Sequence, residues 1–124
     1  MGDDLLKHLI PLRRLLDAGL HLACGSDWGP KNVFEHLALA VQPTYAASGR
    51  PAPTPGITRQ EALATWTRDA AHVLRWPGIG SLEPGHHADL CIIDRNPLRC
   101  SVDALPATRV HATVLAGRRV HGTL

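Results

Sequence analysis

The most informative stretch of this chain is LHLACGSDW, residues 20–28. Residues 20–24 form a largely apolar run, and Gly25 and Ser26 then make a turn that presents the carboxylate of Asp27. Such a run is typical of a buried strand in a parallel sheet. In a β/α barrel the carboxyl ends of the strands face the reaction site, so Asp27 is a candidate metal ligand or base. An Asp after a strand is also a common turn former or helix cap.

A helix is predicted immediately before this strand. Residues 4–18 carry Leu and Ile at close to helical spacing, with Pro11 inside the pattern. Because proline lacks an N–H group, the helix either kinks at Pro11 or begins there. Gly19 is a plausible left-handed cap at its C-terminal end. Helix, tight turn and apolar strand together form an αβ unit of a parallel sheet.

Two further helices are predicted downstream. The first spans residues 32–41, and a loop rich in Pro and Gly follows over residues 42–56. The second spans residues 59–74 and opens with a capping box formed by Thr58 and Glu61. Its predicted buried stripe consists of Ala62, Leu63, Trp66, Ala70, Val73 and Leu74.

The predicted secondary structure changes from helices to strands and turns near residue 77. Residues 88–94 read as a strand and residues 95–98 as a turn. The last 17 residues or so read as a hairpin, with Ala116 and Gly117 in a two-residue turn of type I′ or II′. The pattern predicts helices before residue 77 and antiparallel strands after it.

The composition indicates a globular chain of at most one ordinary domain. Of the 124 residues 44% are apolar, and no apolar run approaches the roughly 20 residues of a membrane helix. A formal charge of +2, evenly spread, argues against nucleic acid as a partner. The start of the chain does not resemble a secretory signal, and three scattered cysteines are typical of reduced thiols. We therefore expect a cytoplasmic protein with no membrane partner.

Several motifs in fixed order resemble the amidohydrolase superfamily, and the resemblance covers nearly the whole chain. They point to amidohydrolase family 3, whose members are metal-dependent hydrolases of amide and related carbon–nitrogen bonds. The motifs are LLDAG (15–19), GSDW (25–28), TRQEAL (58–63), IGSLEPG (79–85), ADL (88–90), DRNPL (94–98) and VLAGR (114–118).

The resemblance implies an α/β fold, the C-terminal fragment of a β/α metal-hydrolase barrel (TIM barrel) followed by part of its antiparallel β-sandwich. Residues 1–77 would be the last β/α units of the barrel, and residues 78–124 a C-terminal sandwich segment. Asp27 corresponds to the family aspartate that binds zinc or another divalent metal and takes the proton from the attacking water. Trp28 is a candidate for the substrate pocket, with simple packing as the alternative.

The remaining metal ligands of the family are absent. The His-x-His after the first barrel strand and the later barrel histidines would lie before residue 1. The chain's own histidines are interpreted as surface or core residues; they include His21, His36, His72 and the adjacent pair His86 and His87. A zinc site needs about three converging protein ligands, so we expect no tight metal binding and no activity from the isolated chain.

Two functions stay open at this point. The first is the C-terminal part of an amidohydrolase, whose partners are the missing N-terminal barrel portion and a small amide substrate. The alternative is a non-catalytic remnant or an oligomerising assembly module. Both predict self-association of the isolated chain with another copy, because strand edges and apolar helix faces would otherwise be exposed.

Overall fold

The computed structural model describes residues 3–27, 29, 31–45 and 48–123. The α-helices lie in the N-terminal part of the chain and a small antiparallel sheet in the C-terminal part. In chain order the elements are α1 (Asp3–Leu6), α2 (Leu12–Asp17), α3 (Val33–Val41), α4 (Arg59–Thr65), α5 (Arg68–Val73), β1 (Leu90–Ile93), a 3-10 helix (Val102–Ala107), β2 (Val110–Leu115) and β3 (Arg118–Gly122). Within the described ranges, no helix is both long enough and apolar enough to span a bilayer.

Helix α2 begins directly after Pro11, which occupies the N-cap position. Of the two predicted alternatives, a new start at the proline is the correct one. At the other end Gly19 has φ +78°, and its N–H donates to Leu16 O at 2.9 Å while Leu20 N–H donates to Leu15 O at 3.1 Å. These two bonds define a Schellman motif, so the predicted glycine cap is confirmed.

The strand predicted for residues 20–24 is not formed. The segment has no regular secondary structure. Apart from the bond of Leu20 N–H to Leu15 O, its backbone is held by Cys24 N–H, which donates to Thr65 O at 3.1 Å. The prediction was wrong because a strand needs a neighbouring strand for its backbone groups. The sheet formed by the described residues consists of β1, β2 and β3, and none of these strands pairs with the segment.

Side-chain caps start both α3 and α4, and the cap of α4 is the predicted capping box. Asn32 accepts a hydrogen bond from Phe34 N–H at 3.0 Å. Thr58 and Glu61 form the reciprocal capping box, in which each side chain accepts from the other residue's backbone N–H. The caps satisfy N–H groups that the first helical turn leaves without intrahelical partners.

The single helix predicted for residues 59–74 is wrong, because Trp66 and Thr67 separate α4 from α5. Thr65 and Thr67 donate their hydroxyls to carbonyls three and four residues earlier, at 2.7 and 2.9 Å. Such bonds compete with the helical backbone pattern. Of the predicted stripe, Val73 and Leu74 are exposed rather than buried.

The hydrophobic core lies between α3, α4 and the 3-10 helix. Its buried residues are Leu37, Ala40, Ile57, Ala62 and Leu105. The 3-10 helix packs on α3 and supplies Leu105, which is 1% exposed. Asn32 Nδ2 donates to Pro106 O at 2.8 Å, and Arg59 donates to the carbonyls of Pro97 and Cys100. The connection between β1 and β2 is thereby fixed to the helices.

The sheet has the strand order β1-β2-β3, antiparallel throughout. Ala116 and Gly117, between β2 and β3, both have positive φ, at +48° and +76°. Positive φ at both central positions defines a type I′ turn, so the predicted hairpin is confirmed. The division of the chain into two domains at residue 77 stays a prediction.

A clamp of charged groups holds the start of the β1–β2 connection. Asp94 accepts two hydrogen bonds from Arg95, both 2.9 Å, and one from Arg109 N–H at 3.1 Å. Donation by the Arg95 guanidinium and by the Arg109 backbone holds the pKa of the Asp94 carboxyl well below its usual range. Arg95 also donates to Ala104 O at 3.0 Å, which ties the clamp to the 3-10 helix.

An ion pair joins α2 to α4. Arg13 Nη1 donates to both carboxylate oxygens of Glu61 at 2.8 Å, and the same guanidinium binds Asp17. Hydrogen bonds from Arg13, and then from the backbone and hydroxyl of Thr58, lower the pKa of Glu61 from 4.5 to about 2. Glu61 therefore serves two structural roles, as a cap of α4 and as the anchor for α2.

The pKa of Glu61 predicts a specific loss of stability in acid. Its folded-state pKa lies below the unfolded value, so its contribution is complete above pH 4.5 and is lost as the pH falls towards 2. Glu61→Gln should destabilise the chain at pH 7, and the difference from wild type in free energy of unfolding should shrink across this window. Denaturant titration at several pH values measures it. Glu83→Gln, an exposed position, is the control and should show no such change; a pH-independent difference for Glu61→Gln would contradict the assignment.

Candidate functional site

Asp27 is exposed and lies in the turn that follows the segment 20–24. Gly29 N–H donates to Ser26 O at 2.9 Å and closes the turn. Asp27 itself has φ +40°, a left-handed conformation that Asp and Asn tolerate better than most side chains. The local sequence therefore explains why an aspartate can occupy this position without a glycine.

The Lys31 ammonium fixes the backbone of this turn. Its Nζ donates to Asp27 O at 2.6 Å, across four residues. The Asp27 carboxylate, by contrast, has no hydrogen-bond or ion-pair partner among the residues that the structure describes. A carboxylate that is exposed and unpartnered on an anchored backbone is available to bind an ion. Asp27 as metal ligand and base stays a prediction, and Trp28, the predicted pocket residue, lies outside the described residues.

The histidines form separate contacts rather than one cluster. His21 stacks on His72 with ring centroids 4.0 Å apart, and His36 lies 5.4 Å from the ring of Trp66. His86 Nδ1 is 2.8 Å from Ser81 Oγ. Across the described ranges, no group of three or more His, Cys, Asp or Glu side chains could hold a metal ion.

A divalent metal therefore finds one fitting donor at this site. The Asp27 carboxylate has the oxygen chemistry and the exposure that a metal ligand needs, and no described residue competes for it. A catalytic zinc site requires about three protein ligands and an open position. The described residues can supply one ligand of such a site and not the full set.

Sequence reasoning missed two contacts around this segment. The Lys31 bond to Asp27 O carries only a weak signal, a lysine four residues after a turn aspartate. The stacking of His21 on His72 joins positions 51 residues apart and had no signal in the sequence. Both contacts fix the path of the chain on either side of Asp27.

Comparison with known proteins identifies the family. The model of the amidohydrolase family, family 3, matches residues 1–121. An N-substituted formamide deformylase from Arthrobacter pascens is 33% identical over 112 residues, which are 88% of this chain and 21% of that enzyme. An imidazolonepropionase from Deinococcus deserti is 36% identical over 115 residues, 89% of this chain and 26% of that enzyme.

A solved structure gives the same result. It is the crystal structure of a mutant of an atrazine chlorohydrolase from Arthrobacter aurescens TC1, complexed with zinc and atraton. It superposes with a TM-score of 0.62 at 25% identity, covering 90% of this chain and 27% of the other. The chain thus spans about a quarter of the length of the relatives it matches. Its helices and small antiparallel sheet are consistent with a fragment of that fold, and the chain belongs to the amidohydrolase family.

Proposed function

We propose that the chain is the C-terminal part of a metal-dependent amidohydrolase that hydrolyses carbon–nitrogen bonds of small amide-type substrates. The family match over residues 1–121 supports this proposal, as does the formamide deformylase relative. Removal of a formyl group from nitrogen by water breaks a carbon–nitrogen bond. The observation that carries the assignment to this site is the exposed carboxylate of Asp27 on its anchored turn, which has no partner among the described residues.

Asp27 would serve as a metal ligand and as the general base. A divalent metal such as zinc, when bound, polarises the substrate carbonyl and lowers the pKa of water towards neutrality. One oxygen of the Asp27 carboxylate accepts the proton of the attacking water, whose oxygen bonds to the carbonyl carbon. The same carboxylate then returns that proton to the leaving nitrogen as the carbon–nitrogen bond breaks. Trp28, the next residue, would line the substrate pocket.

The other metal ligands would come from outside the described residues. The relatives are about four times as long as this chain. The resemblance to the family implies histidine ligands on the first barrel strands. The N-terminal barrel portion is therefore the proposed partner of this chain, and a second copy is the proposed partner when the chain is isolated.

A specific observation keeps the alternative open. The described residues hold no metal-binding group of three side chains, and large apolar side chains such as Leu74, Trp76 and Val120 are exposed. A non-catalytic module that assembles through these surfaces would show the same features. Metal binding and activity separate the two proposals.

The isolated chain should bind zinc only weakly. One carboxylate leaves the ion mostly hydrated, because tight sites need about three converging donors. Isothermal titration with zinc measures the affinity for wild type and for Asp27→Asn, and neither should show stoichiometric sub-micromolar uptake. Such uptake in the wild type, lost in Asp27→Asn, would show that the chain forms a complete site on its own.

A hybrid enzyme tests the role of Asp27 directly. In the hybrid the chain replaces the segment it matches in the Arthrobacter pascens deformylase, and zinc content and turnover of an N-substituted formamide are measured. Asp27→Asn should keep the left-handed turn, because Asn tolerates positive φ, and should lower kcat by about 10²- to 10⁴-fold.

The control for this experiment is Asp103→Asn, at an exposed carboxylate in the 3-10 helix, which should leave zinc content and kcat unchanged. A folded hybrid whose turnover and zinc content are the same in Asp27→Asn as in the parent would refute the assignment.

Self-association is expected to involve the outer edge of β3. All five residues of this edge strand are exposed, and Val120 is 59% exposed. Val120→Lys should shift the monomer–oligomer equilibrium towards monomer in sedimentation velocity, because a charge at an edge opposes strand pairing. Leu82→Lys, at a side chain 74% exposed outside the sheet, should have less effect. A wild-type chain that stays monomeric at high concentration would rule the proposal out.

A further inference from the structure

The C-terminal end of α5 borders an open cleft of about 490 Å³. Arg68 and His72, at positions i and i+4 on one face of α5, line it together with Arg75, which follows the C-cap residue Leu74. Trp76, the next residue in the chain, also lines the cleft. The cleft thus brings two guanidinium groups and an indole to one surface, and no carboxylate is among its described lining residues.

The backbone at Arg75 is strained. Arg75 has φ +53°, with its N–H donating to His72 O at 3.0 Å and Trp76 N–H donating to Ala71 O at 3.1 Å. This is the same Schellman geometry that ends α2, where Gly19 occupies the left-handed position. An arginine in this conformation costs free energy that glycine would not, and such strain is a recurrent mark of functional positions.

The side chains at the cleft are available to a ligand. The Arg75 guanidinium has no hydrogen-bond or ion-pair partner among the residues that the structure describes, and Trp76 is 60% exposed. Arg68 uses Nε to bind Asp69 at 3.0 Å, and its two terminal nitrogens have no hydrogen-bond partner among the described residues. His72 packs against His21 with the ring centroids 4.0 Å apart and the ring planes tilted by 36°.

We propose that this cleft binds a small molecule in which a carboxylate or phosphate is attached to a planar ring. A guanidinium group bonds such anions through paired N–H donors, and an exposed indole offers a flat surface on which a ring stacks. Asp69 lies beside the cleft, but its charge is balanced by Arg68. The binding site is separate from the Asp27 carboxylate and does not depend on the proposed hydrolase activity.

The test is an NMR titration of the whole chain with phenyl phosphate and with benzoate, followed at the indole N–H of Trp76. Phenol and inorganic phosphate are the probes that carry only the ring or only the anion. We expect saturable binding of at least one of the two ring-bearing anions, and binding of phenol and of phosphate weaker by about tenfold or more.

Two variants at one position separate binding from folding. Arg75→Gly relieves the left-handed strain and should raise Tm while weakening binding by about tenfold or more. Arg75→Gln keeps the strained backbone and loses the charge, so it should weaken binding to a similar degree with Tm near wild type. The matched control is Gly19→Ala in the equivalent cap of α2, which should lower Tm and leave binding unchanged.

Three results would overturn the proposal. One is that neither phenyl phosphate nor benzoate binds the wild type saturably at concentrations up to about 10 mM. Another is inorganic phosphate binding as tightly as phenyl phosphate, which would leave no role for Trp76. The third is undiminished binding in Arg75→Gly or in Arg75→Gln.

Discussion

Burial of Leu105 is the interaction on which the rest of this structure depends. It is 1% exposed and packs in a core whose other buried members include Leu37 and Ala62. Leu105 belongs to the connection between β1 and β2, whereas its core partners belong to or flank α3 and α4. Because two of the five core residues are alanines, Leu105 supplies a large share of the buried apolar surface. Truncating a fully buried leucine typically costs about 2–5 kcal/mol, a large part of the stability of a small domain.

The same core positions the candidate site. Cys24 N–H is hydrogen-bonded to Thr65 O at the end of α4. Asn32 caps α3, and its side-chain amide also donates to Pro106 O of the 3-10 helix. Asp27 lies between these two anchored points, and Lys31 fixes its carbonyl. The turn is therefore held by helices on both sides even though no sheet supports it. This arrangement keeps the carboxylate exposed on a backbone of defined conformation, which is what a ligand contributed to a larger site requires.

Local signals predicted the ends of the elements well. Gly19, the Thr58 and Glu61 pair, and the Ala116–Gly117 turn each act within a few residues, so their conformations follow from the sequence. Features that depend on distant residues could not be predicted in the same way. The segment 20–24 has the composition of a strand, but strand formation needs a partner that the described residues do not place there. Leu105 was not predicted as core, because its partners lie more than forty residues away in the sequence.

The family and the candidate aspartate were recognised from the order of motifs, and under the proposed function the other metal ligands would lie on segments beyond those described. The most direct measurement of the central claim is anomalous diffraction at the zinc edge from crystals of the deformylase hybrid. We expect a zinc peak with an Asp27 carboxylate oxygen at about 2.0–2.2 Å. A fully ligated zinc with the Asp27 carboxylate outside its coordination sphere would contradict it.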